Sequence, residues 1–564
     1  MSPEDFKLKK AGEVRTRFAP SPTGFLHIGA ARTALFNYLF AKKSQGIFVL
    51  RIENTDIKRS DRLFEKDIIE SLKWLGIEWD EGPRTEAELT AGQVSYIGDY
   101  GPYRQSKRLN IYKKYLEKLL DEDKAYYCFC EEEELEAQRQ YQLSIGEAPR
   151  YSGKCGQLSK EEVQSYLNEG KPSVIRFRVL PKKVEFDDLI RSRLEFDAAL
   201  IGDIVIAKNL TSPLYNFTCV VDDFEMKITH IIRGEDILSN TPKQILIQEA
   251  LNFPRLKYAH LPLILGPDRA KLSKRHTAVA IAEYRKAGYL PESLINFMAF
   301  LGWNPGEERE IYSLPSLIKE FSIEKCQKGG AIFNIKRLDF LNGFYIRQRS
   351  IEKLTKMCLP YLFEAELIED YKASTAIQPE EVPKRGNPET LKLIPEIEPK
   401  FRIKETGEII GLDKLEKIVS LYQERLKKLS EISDLIDFFF KDKLEYDKNL
   451  LRWGEMTDKE IRTSLDKLKK ILFKIESADW TKENLENILI PEAEKIGLPA
   501  EASAKEGLPA EALAKAGDRG KLLWPLRVAL TGKEASAGPF EIAEILGKEK
   551  VLKRIKEARG LIIR

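Results

Sequence analysis

The sequence has few cysteines and no long run of apolar residues. Its 564 residues include six cysteines, which do not make a disulfide framework in a chain of this length, so we expect a reducing compartment. The charged first ten residues contain no apolar segment of the signal-peptide type. The longest apolar stretch, from Leu294 to Trp303, is too short and too interrupted to span a bilayer. We therefore expect a soluble, cytoplasmic protein that acts without a membrane.

The sequence also lacks a large excess of charge of one sign. It has 92 Lys and Arg residues against 89 Asp and Glu residues, which gives a net charge of +3. So small an excess provides little long-range attraction to a polyanion, so any nucleic-acid site must be a local basic patch. At roughly 150 residues per domain, the length predicts about three or four domains.

Strands and helices alternate over the first 75 residues. The apolar spacing predicts strands over 14–18 and 46–53, and these are followed by helices over 27–43 and 65–75. This order is typical of a parallel sheet, which binds ligands in a crevice beyond the carboxyl ends of its strands.

The turn into the first helix has features that suit a phosphate group. Residues 19–30 read APSPTGFLHIGA. A helix N-terminus presents free N–H groups and partial positive charge, and Gly24 and Gly29 let the backbone approach a ligand closely. His27 could donate a hydrogen bond to a phosphate oxygen as negative charge develops there. The alternative is a proline-rich turn in which His27 only caps the helix.

The pattern changes between about residues 101 and 209. A helix is predicted over 109–120, and strand-like segments over 174–179 and 202–207. We interpret this region as a domain inserted between two halves of the first one.

Three cysteines in the inserted region could bind a metal. Cys128, Cys130 and Cys155 resemble three ligands of a zinc site. A tetrahedral structural site needs a fourth ligand, and Gln157 is a poor one. Bound zinc and unliganded core thiols therefore both stay open at this point.

Sheet-type segments return after residue 212. The sequence predicts strands over 213–223, 226–232 and 260–265, with a helix over 240–251. The loop after the last strand contains Lys271, Ser273 and Lys274. Lysine is a mobile point charge suited to phosphate, although two lysines beside a serine are also common on protein surfaces.

Helical spacing predominates beyond residue 277, for example over 351–359 and 412–441. Residues 497–505 and 507–515 are near-duplicates. One tandem copy of ten residues is too short for a solenoid, so we interpret it as a surface insertion within a helical domain.

Six motifs follow one another in a characteristic order: PSPTGFLHIGA near the N-terminus, RIENTD at 51–56, GPYRQS at 101–106, YNFTCVVDD at 215–223, THIIRGED at 229–236 and KLSKR at 271–275. In this order and spacing they resemble the bacterial-type glutamyl-tRNA synthetases, which are class I aminoacyl-tRNA synthetases. The resemblance covers nearly the whole chain, since WPLRVALTG at 524–532 resembles the anticodon-binding region of the family.

The resemblance implies an α/β fold in which a Rossmann-type parallel-sheet catalytic domain is split by an inserted α+β domain and followed by all-α stem-contact and anticodon-binding domains. The expected ranges are 1–103 and 213–276 for the two catalytic halves, 104–212 for the acceptor-stem-binding insertion, 277–350 for the stem-contact domain, and 351–455 and 456–564 for the two anticodon-binding domains.

The resemblance also implies the reaction. ATP and Mg²⁺ activate L-glutamate as glutamyl-adenylate, and the glutamyl group then passes to the terminal ribose of tRNA(Glu). Positioning and charge stabilisation would carry most of the rate, with no covalent enzyme nucleophile. We expect a monomer.

Two signatures of the family assign the ATP site. His27 matches the first histidine of the HIGH signature, and Ala30 replaces its last histidine. Lys274 matches the ATP-binding lysine of the KMSKS signature, which here reads KLSKR. His27 and Lys274 are expected to be catalytic, and the full set expected at ATP is Pro20, Thr23, Gly24, His27, Gly29, Asp236, Lys271, Ser273 and Lys274.

The residues expected at glutamate are Arg17, Ser21, Glu53, Tyr215 and Arg233. The guanidinium groups of Arg17 and Arg233 would hold the side-chain carboxylate and disfavour neutral glutamine, while Glu53 would meet the ammonium group. Cys219 is expected in a pocket-lining strand, either as a packing thiol or as a substrate contact. The zinc pattern of some family members matches Cys128, Cys130 and Cys155, but Gln157 departs from it.

Four alternatives remain open. A glutamyl-tRNA synthetase of the non-discriminating kind would also charge tRNA(Gln). A glutaminyl-tRNA synthetase shares the catalytic motifs, but a helical C-terminal half argues against it. A non-catalytic tRNA-binding protein would not need His27, Lys274, Arg17 and Arg233. A small-molecule nucleotidyltransferase would have no use for the long helical region.

Overall fold

The computed structural model describes residues 14–56, 59–84, 95–273, 280–306, 308–371, 399–495 and 519–562. The chain divides into two compact units between Leu341 and Asn342. Lys274 and the near-duplicated segments at 497–515 lie outside the described residues. In the part of the chain that is described, no helix is long and apolar enough to cross a membrane.

The first unit is a mixed α/β structure. Its strands are β1 (Arg15–Phe18), β2 (Ile47–Leu50), β3 (Gly82–Pro83), β4 (Tyr96–Ile97), β5 (Ala125–Cys128), β6 (Val174–Phe177), β7 (Lys183–Asp188), β8 (Ser192–Asp197), β9 (Ile204–Ala207), β10 (His230–Gly234), β11 (Lys257–Leu261), β12 (Ile264–Leu265) and β13 (Ala331–Ile332). Its helices are α1 (Ile28–Lys43), α2 (Arg62–Trp74), α3 (Leu109–Asp121), α4 (Glu132–Ser144), α5 (Lys160–Asn168), α6 (Tyr215–Glu225), α7 (Thr241–Ala250), α8 (Ile281–Lys286), α9 (Pro291–Ala299), α10 (Leu314–Glu320) and α11 (Ile335–Arg347), the last of which contains the division between the units.

A parallel sheet organises this unit, as the strand–helix alternation predicts. Strand β1 pairs in parallel with β2, and β10 pairs in parallel with β11. The backbone N–H of Thr229 donates to the Arg15 carbonyl at 2.9 Å, which places β10 beside β1. The carboxyl ends of the four strands therefore share one edge, where parallel α/β sheets bind their ligands.

The region predicted as an insertion is joined directly to this sheet. Strands β7 and β8 form an antiparallel hairpin, and β7 pairs in parallel with β11 where Asp188 lies opposite Tyr258. The rest of the region has its own antiparallel sheet, in the order β5–β6–β9. The end of the hairpin consequently lies close to the ligand-binding edge of the parallel strands.

The helix α1 is buried because apolar residues surround it rather than forming one stripe. Of its predicted inner face, Ala31, Leu35 and Leu39 are fully buried and Tyr38 is half-buried, and Phe36 on another side is also fully buried. These side chains join a core that includes Leu294 and Met298 of α9. Packing on several sides holds the N-terminus of α1 in place at the sheet edge.

The strand predicted over 213–223 is wrong, since Tyr215–Glu225 forms the helix α6. Phe217, Val220, Val221 and Phe224 recur at the three- and four-residue spacing of a helix. The β-branched residues among them favour a strand locally, and burial on the helix overrides that preference. Cys219 therefore lies on a helix and not on a pocket-lining strand.

The second unit is mainly helical. Its helices are α12 (Ile351–Glu364), α13 (Leu412–Ser420), α14 (Glu431–Phe440), α15 (Asp458–Phe473), α16 (Lys482–Glu494), α17 (Gly520–Thr531), α18 (Pro539–Leu546) and α19 (Lys548–Leu561). A small antiparallel sheet, which the sequence pattern does not predict, consists of β14 (Ile368–Asp370), β15 (Lys400–Ile403) and β16 (Ile409–Gly411).

The single helix predicted over 412–441 is also wrong, because it is interrupted between α13 and α14. The Glu431 carboxylate accepts the backbone N–H groups of Lys427 and Lys428 at 2.9 and 3.1 Å. Those two donors are thereby satisfied without a continuous helix.

Candidate active site

A cavity of about 1030 Å³ opens beyond the carboxyl ends of the parallel strands. This volume is at the upper end of the range typical of small-molecule sites, roughly 300–1000 Å³, so it can hold more than one small ligand. Every predicted ATP or glutamate residue that the structure describes lines it: Arg17, Pro20, Ser21, Thr23, Gly24, His27, Gly29, Glu53, Tyr215, Arg233, Asp236, Lys271 and Ser273.

His27 is the N-cap of α1, and it also faces the cavity. Its Nδ1 accepts the backbone N–H of Ala30 at 3.2 Å, so the neutral ring carries its proton on Nε2. Desolvation by the surrounding protein lowers the pKa of His27; the charge of Asp236 opposes this shift, and the charges of Lys271 and Arg32 add to it. The imidazole therefore caps the helix with one nitrogen and keeps an N–H donor on the other.

The imidazole of His27 leaves little space for a side chain at position 29. A Cβ added to Gly29 would lie 3.1 Å from His27 Nδ1 and 3.2 Å from Cε1. At these distances the imidazole would have to move by a few tenths of an ångström.

The two signature stretches meet at this cavity. His27 forms an isolated antiparallel bridge with Ala280, just beyond the lysine loop. The Nζ atom of Lys271 lies 3.2 Å from the Oδ2 atom of Asp236. The Leu272 N–H donates to the Ile264 carbonyl at 2.9 Å, which anchors the start of the loop to β12.

A buried network of charges lies at the opposite end. Arg17 Nε and Arg51 Nη1 lie 3.0 and 2.8 Å from the same oxygen of Asp223, and Arg51 Nη2 lies 2.9 Å from Glu53. Burial alone would raise the pKa of Asp223, but the two arginines outweigh it and lower the pKa. Burial raises the pKa of Glu53 despite its contact with Arg51.

Cys219 of α6 lines the cavity beside this network. Its Sγ lies 3.6 Å from Asp223 Oδ2 and 3.7 Å from Arg51 Nη2. Burial raises the pKa of the thiol to about 12, so it remains protonated near neutral pH. The thiol therefore packs against Asp223 and Arg51 and also forms part of the cavity wall.

Arg233 differs from Arg17 because its protein partners are uncharged groups. Its Nη1 donates to Gln244 Oε1 at 2.8 Å, its Nη2 to Thr241 Oγ1 at 2.7 Å, and its Nε to His260 Nε2 at 3.2 Å. Among the described residues it has no carboxylate partner within salt-bridge distance. Arg233 thus brings a positive charge to the cavity that a bound carboxylate can balance.

Several residues of the site are not predicted from the sequence. They are Asp188, Asp223, Thr241, Gln244 and His260, which all contact an expected binding residue or its direct partner. Asp223 ends a quoted motif and Thr241 follows another closely, so their position in sequence is a usable signal. Nothing local marks Asp188, which lies 72 residues from His260.

Cys128, Cys130 and Cys155 form a compact cluster. Their Sγ atoms all lie within 4.8 Å of one another, with Cys130 and Cys155 3.5 Å apart. The Tyr151 hydroxyl lies 3.5 Å from Cys128 Sγ and 3.3 Å from Cys130 Sγ. Gln157 is exposed. Three thiols this close together could hold a metal ion, and the Tyr151 hydroxyl is a further polar group beside them.

Comparisons with known proteins agree with the fold of both units. Residues 13–340 match the family described as tRNA synthetases class I (E and Q), catalytic domain. Residues 392–505 and 500–559 match the anticodon binding domain.

Similar proteins extend this agreement over nearly the full length. Glutamate–tRNA ligase 1 of Caldicellulosiruptor saccharolyticus is 45% identical over 551 residues, which are 96% of this chain and 98% of that protein. Glutamate–tRNA ligase of Carboxydothermus hydrogenoformans is 40% identical over 543 residues, 96% of this chain and 99% of that protein. The crystal structure of a glutamate tRNA ligase from Elizabethkingia meningosepticum, in complex with its amino acid, superposes with a TM-score of 0.75 at 32% identity and covers 97% of this chain and 99% of that one. This chain therefore belongs to the glutamate–tRNA ligase family of the class I tRNA synthetases.

Proposed function

We propose that this chain attaches L-glutamate to tRNA(Glu) in two steps, with glutamyl-adenylate as the intermediate. The observation that carries the proposal is a single cavity with a phosphate-binding end and an acid-binding end. His27 and Lys271 lie at the first end, and Arg17 and Arg233 at the second. Joining a carboxylate to the α-phosphate of ATP requires both ends in one space.

At the acid-binding end, Arg233 receives the side-chain carboxylate of glutamate. Its uncharged partners leave its positive charge unbalanced, whereas Arg17 already lies 3.0 Å from Asp223. Glutamine would leave this charge unpaired, and desolvated charge without a partner is strongly disfavoured. Glu53 meets the ammonium group, and Ser21 and Tyr215 complete the amino-acid pocket.

At the phosphate-binding end, His27 donates its Nε2–H to an oxygen of the α-phosphate. A glutamate α-carboxylate oxygen attacks the α-phosphorus, and the bond to pyrophosphate breaks. The ATP enters as its Mg²⁺ complex, and the metal offsets part of the phosphate charge. Negative charge grows on the phosphate oxygens in the transition state, where the His27 donor and the nearby lysines stabilise it most.

In the second step a hydroxyl of the terminal tRNA ribose attacks the carbonyl carbon of the adenylate, and AMP leaves. We propose that residues 104–212 contact the acceptor stem and that 277–350 contact the stem further along. The ranges 351–455 and 456–564 are proposed to bind the anticodon, with the protein acting as a monomer.

The Lys274→Ala variant tests the assignment of the second signature. It is expected to lower the rate of glutamyl-adenylate formation about 100-fold, because a positive charge on the ATP phosphates is removed. Binding of tRNA, measured separately by filter retention, is expected to remain within about twofold, since K274A removes one of many charges along the tRNA path. The matched control is Lys66→Ala, at a side chain that is 74% exposed. If K274A forms glutamyl-adenylate at the same rate as the unsubstituted chain, Lys274 does not have the proposed role at the ATP phosphates.

We further propose that Cys128, Cys130, Cys155 and Tyr151 hold a structural zinc ion. Tetrahedral zinc is bound mainly by thiolate and imidazole ligands, and a phenolate oxygen is chemically compatible with the fourth position. The ion would stabilise the inserted region and take no part in the reaction.

A further inference from the structure

A chain of buried polar contacts lies behind Arg233. Asp188 is the last residue of β7, and its Oδ2 lies 2.6 Å from His260 Nδ1 on β11. His260 Nε2 lies 3.2 Å from Arg233 Nε and 2.9 Å from Thr241 Oγ1. Asp188, His260, Arg233 and Thr241 are all buried. None of the side chains of Asp188, Thr241 and His260 is part of the cavity wall.

The distances determine which nitrogen of His260 carries the proton. A carboxylate only accepts hydrogen bonds, so the contact with Asp188 requires a proton on Nδ1. A neutral ring then has a lone pair on Nε2, which can accept the Nε–H of Arg233 and the hydroxyl of Thr241. Thr241 Oγ1 in turn accepts an Nη2–H of Arg233 at 2.7 Å.

Asp188 is itself fixed in orientation. Its Oδ1 accepts the backbone N–H groups of Ile190 and Arg191, both at 2.9 Å. Oδ1 is thus used to form the turn between β7 and β8, whereas Oδ2 contacts the imidazole Nδ1 and also accepts the backbone N–H of His260 at 3.1 Å. The inserted region thereby contributes a buried carboxylate to the support of the amino-acid pocket.

This arrangement leaves Arg233 able to bind a carboxylate. Three of its five N–H groups have partners among the described residues, and one N–H remains on each terminal nitrogen. If His260 carried its proton on Nε2 instead, its Nε2–H and the Nε–H of Arg233 would point at each other. The guanidinium group would then be displaced.

We propose that Asp188 and His260 are positioning residues for Arg233: Asp188 fixes the tautomer of His260, and His260 Nε2 holds the guanidinium group in the orientation that receives the side-chain carboxylate of the amino acid. The proposal rests on the function proposed above, in which glutamate occupies that end of the cavity. On this proposal, two side chains that do not touch the substrate also determine the specificity for glutamate.

Asp188→Asn is the first test, made on the full chain by pyrophosphate exchange with glutamate, Mg–ATP and tRNA. The amide oxygen can keep the turn contacts of Oδ1, which places the NH₂ group against Nδ1 and forces the other tautomer. The KM for glutamate is expected to rise about 10- to 100-fold, the cost of losing a hydrogen bond to a charged group. The KM for ATP is expected to change less than about twofold, because the phosphate-binding end is untouched.

Two substitutions at His260 separate positioning from packing. In His260→Gln an amide oxygen can reach the position of Nε2 and accept from Arg233, whereas in His260→Asn the amide reaches only the position of Nδ1. H260Q is expected to retain a KM for glutamate within about fivefold of the unsubstituted chain, and H260N is expected to match D188N. The matched control is Asp187→Asn, at the exposed neighbouring residue, with no expected change.

The result that would overturn the proposal is an unchanged KM for glutamate in folded D188N and H260N, or an equal rise in the KM values for glutamate and ATP. If D188N does not fold, the comparison of H260Q with H260N decides. Nitrogen-15 shifts of labelled histidine report the tautomer without any reaction, and a proton on Nε2 of His260 would also refute the proposal. If the unsubstituted chain shows no exchange with glutamate, the proposed function fails, whereas the tautomer measurement still tests the contact chain itself.

Discussion

Gly29 gives a direct way to disturb His27 without replacing it. In Gly29→Ala the added methyl group would crowd the imidazole at 3.1 Å, so the Nε2–H donor would move from the position in which it is proposed to meet the phosphate. We expect kcat for adenylate formation to fall about tenfold, while KM for glutamate stays unchanged because the acid-binding end is not affected. Pyrophosphate exchange at varied glutamate concentration measures both.

Gly24→Ala provides the comparison, since a Cβ there meets no protein atom within 4 Å. It leaves His27 in place, so any effect should appear in the KM for ATP and not in kcat. An equal loss of kcat in both variants would contradict the account of Gly29.

His230 makes folding sensitive to acid. Burial and the charge of Lys257 lower its pKa to about 4 from 6.5. Below about pH 6.5 the imidazole of the unfolded chain binds a proton, whereas the imidazole of the folded chain does so only near pH 4. The contribution of His230 to the free energy of unfolding is therefore fully present above pH 6.5 and is lost as the pH falls toward 4. Between pH 7 and pH 5 the loss is expected to be about 1 to 2 kcal/mol.

The His230→Asn variant isolates this contribution, because it cannot take up the proton. Urea unfolding at pH 7 and pH 5 should show a smaller loss of unfolding free energy for H230N than for the unsubstituted chain. Equal losses would mean that other groups cause the acid sensitivity.

At the scale of structural elements, the cluster of Cys128, Cys130 and Cys155 gives the clearest prediction. The purified chain is expected to contain about one equivalent of zinc, and chelation is expected to lower its melting midpoint. Tyr151→Phe removes the proposed fourth ligand and should lower both zinc content and midpoint, while Gln157→Ala should change neither. Metal analysis and thermal unfolding measure these effects. A metal-free chain with an unchanged midpoint in Y151F would contradict the zinc proposal.

The same cluster shows why some of the proposed ligands are predictable from the sequence and others are not. Cys128, Cys130 and Cys155 are recognisable by residue type and spacing. Tyr151 is not, because tyrosine is common in cores and nothing local indicates that its hydroxyl turns toward the thiols. The spacing from Cys155 points instead to Gln157, which is exposed.

The strand–turn–helix of β1 and α1 is predictable because its signals are local. Proline and glycine end the strand, and the apolar spacing changes from two residues to between three and four. In α6 the two local signals disagree, since β-branched residues favour a strand and the apolar spacing favours a helix. Contacts made with distant residues settle such a case: Asp223 at the end of α6 pairs with Arg17, 206 residues earlier.

For the whole molecule, the order of motifs predicts more than any motif alone. The His27 turn and the lysine loop are each compatible with an ordinary surface, and their common cavity depends on a fold that closes about 240 residues of chain between them. The contacts that hold Arg233 in place behind that cavity are not predictable from one sequence. The contacts from Asp188 to His260 and from there to Arg233 join three strands of a sheet that includes the β7–β8 hairpin.

The most direct measurement of the central claim is pyrophosphate exchange by the full chain with Mg–ATP and tRNA, driven by glutamate or by glutamine. We expect kcat/KM to be at least about 100-fold higher with glutamate than with glutamine. The side-chain carboxylate of glutamate can balance the positive charge of Arg233, and the amide of glutamine cannot. Charging of purified tRNA(Glu) and tRNA(Gln) in the same preparation then separates a specific enzyme from one that also loads tRNA(Gln). Exchange with glutamine that equals or exceeds exchange with glutamate would contradict the account.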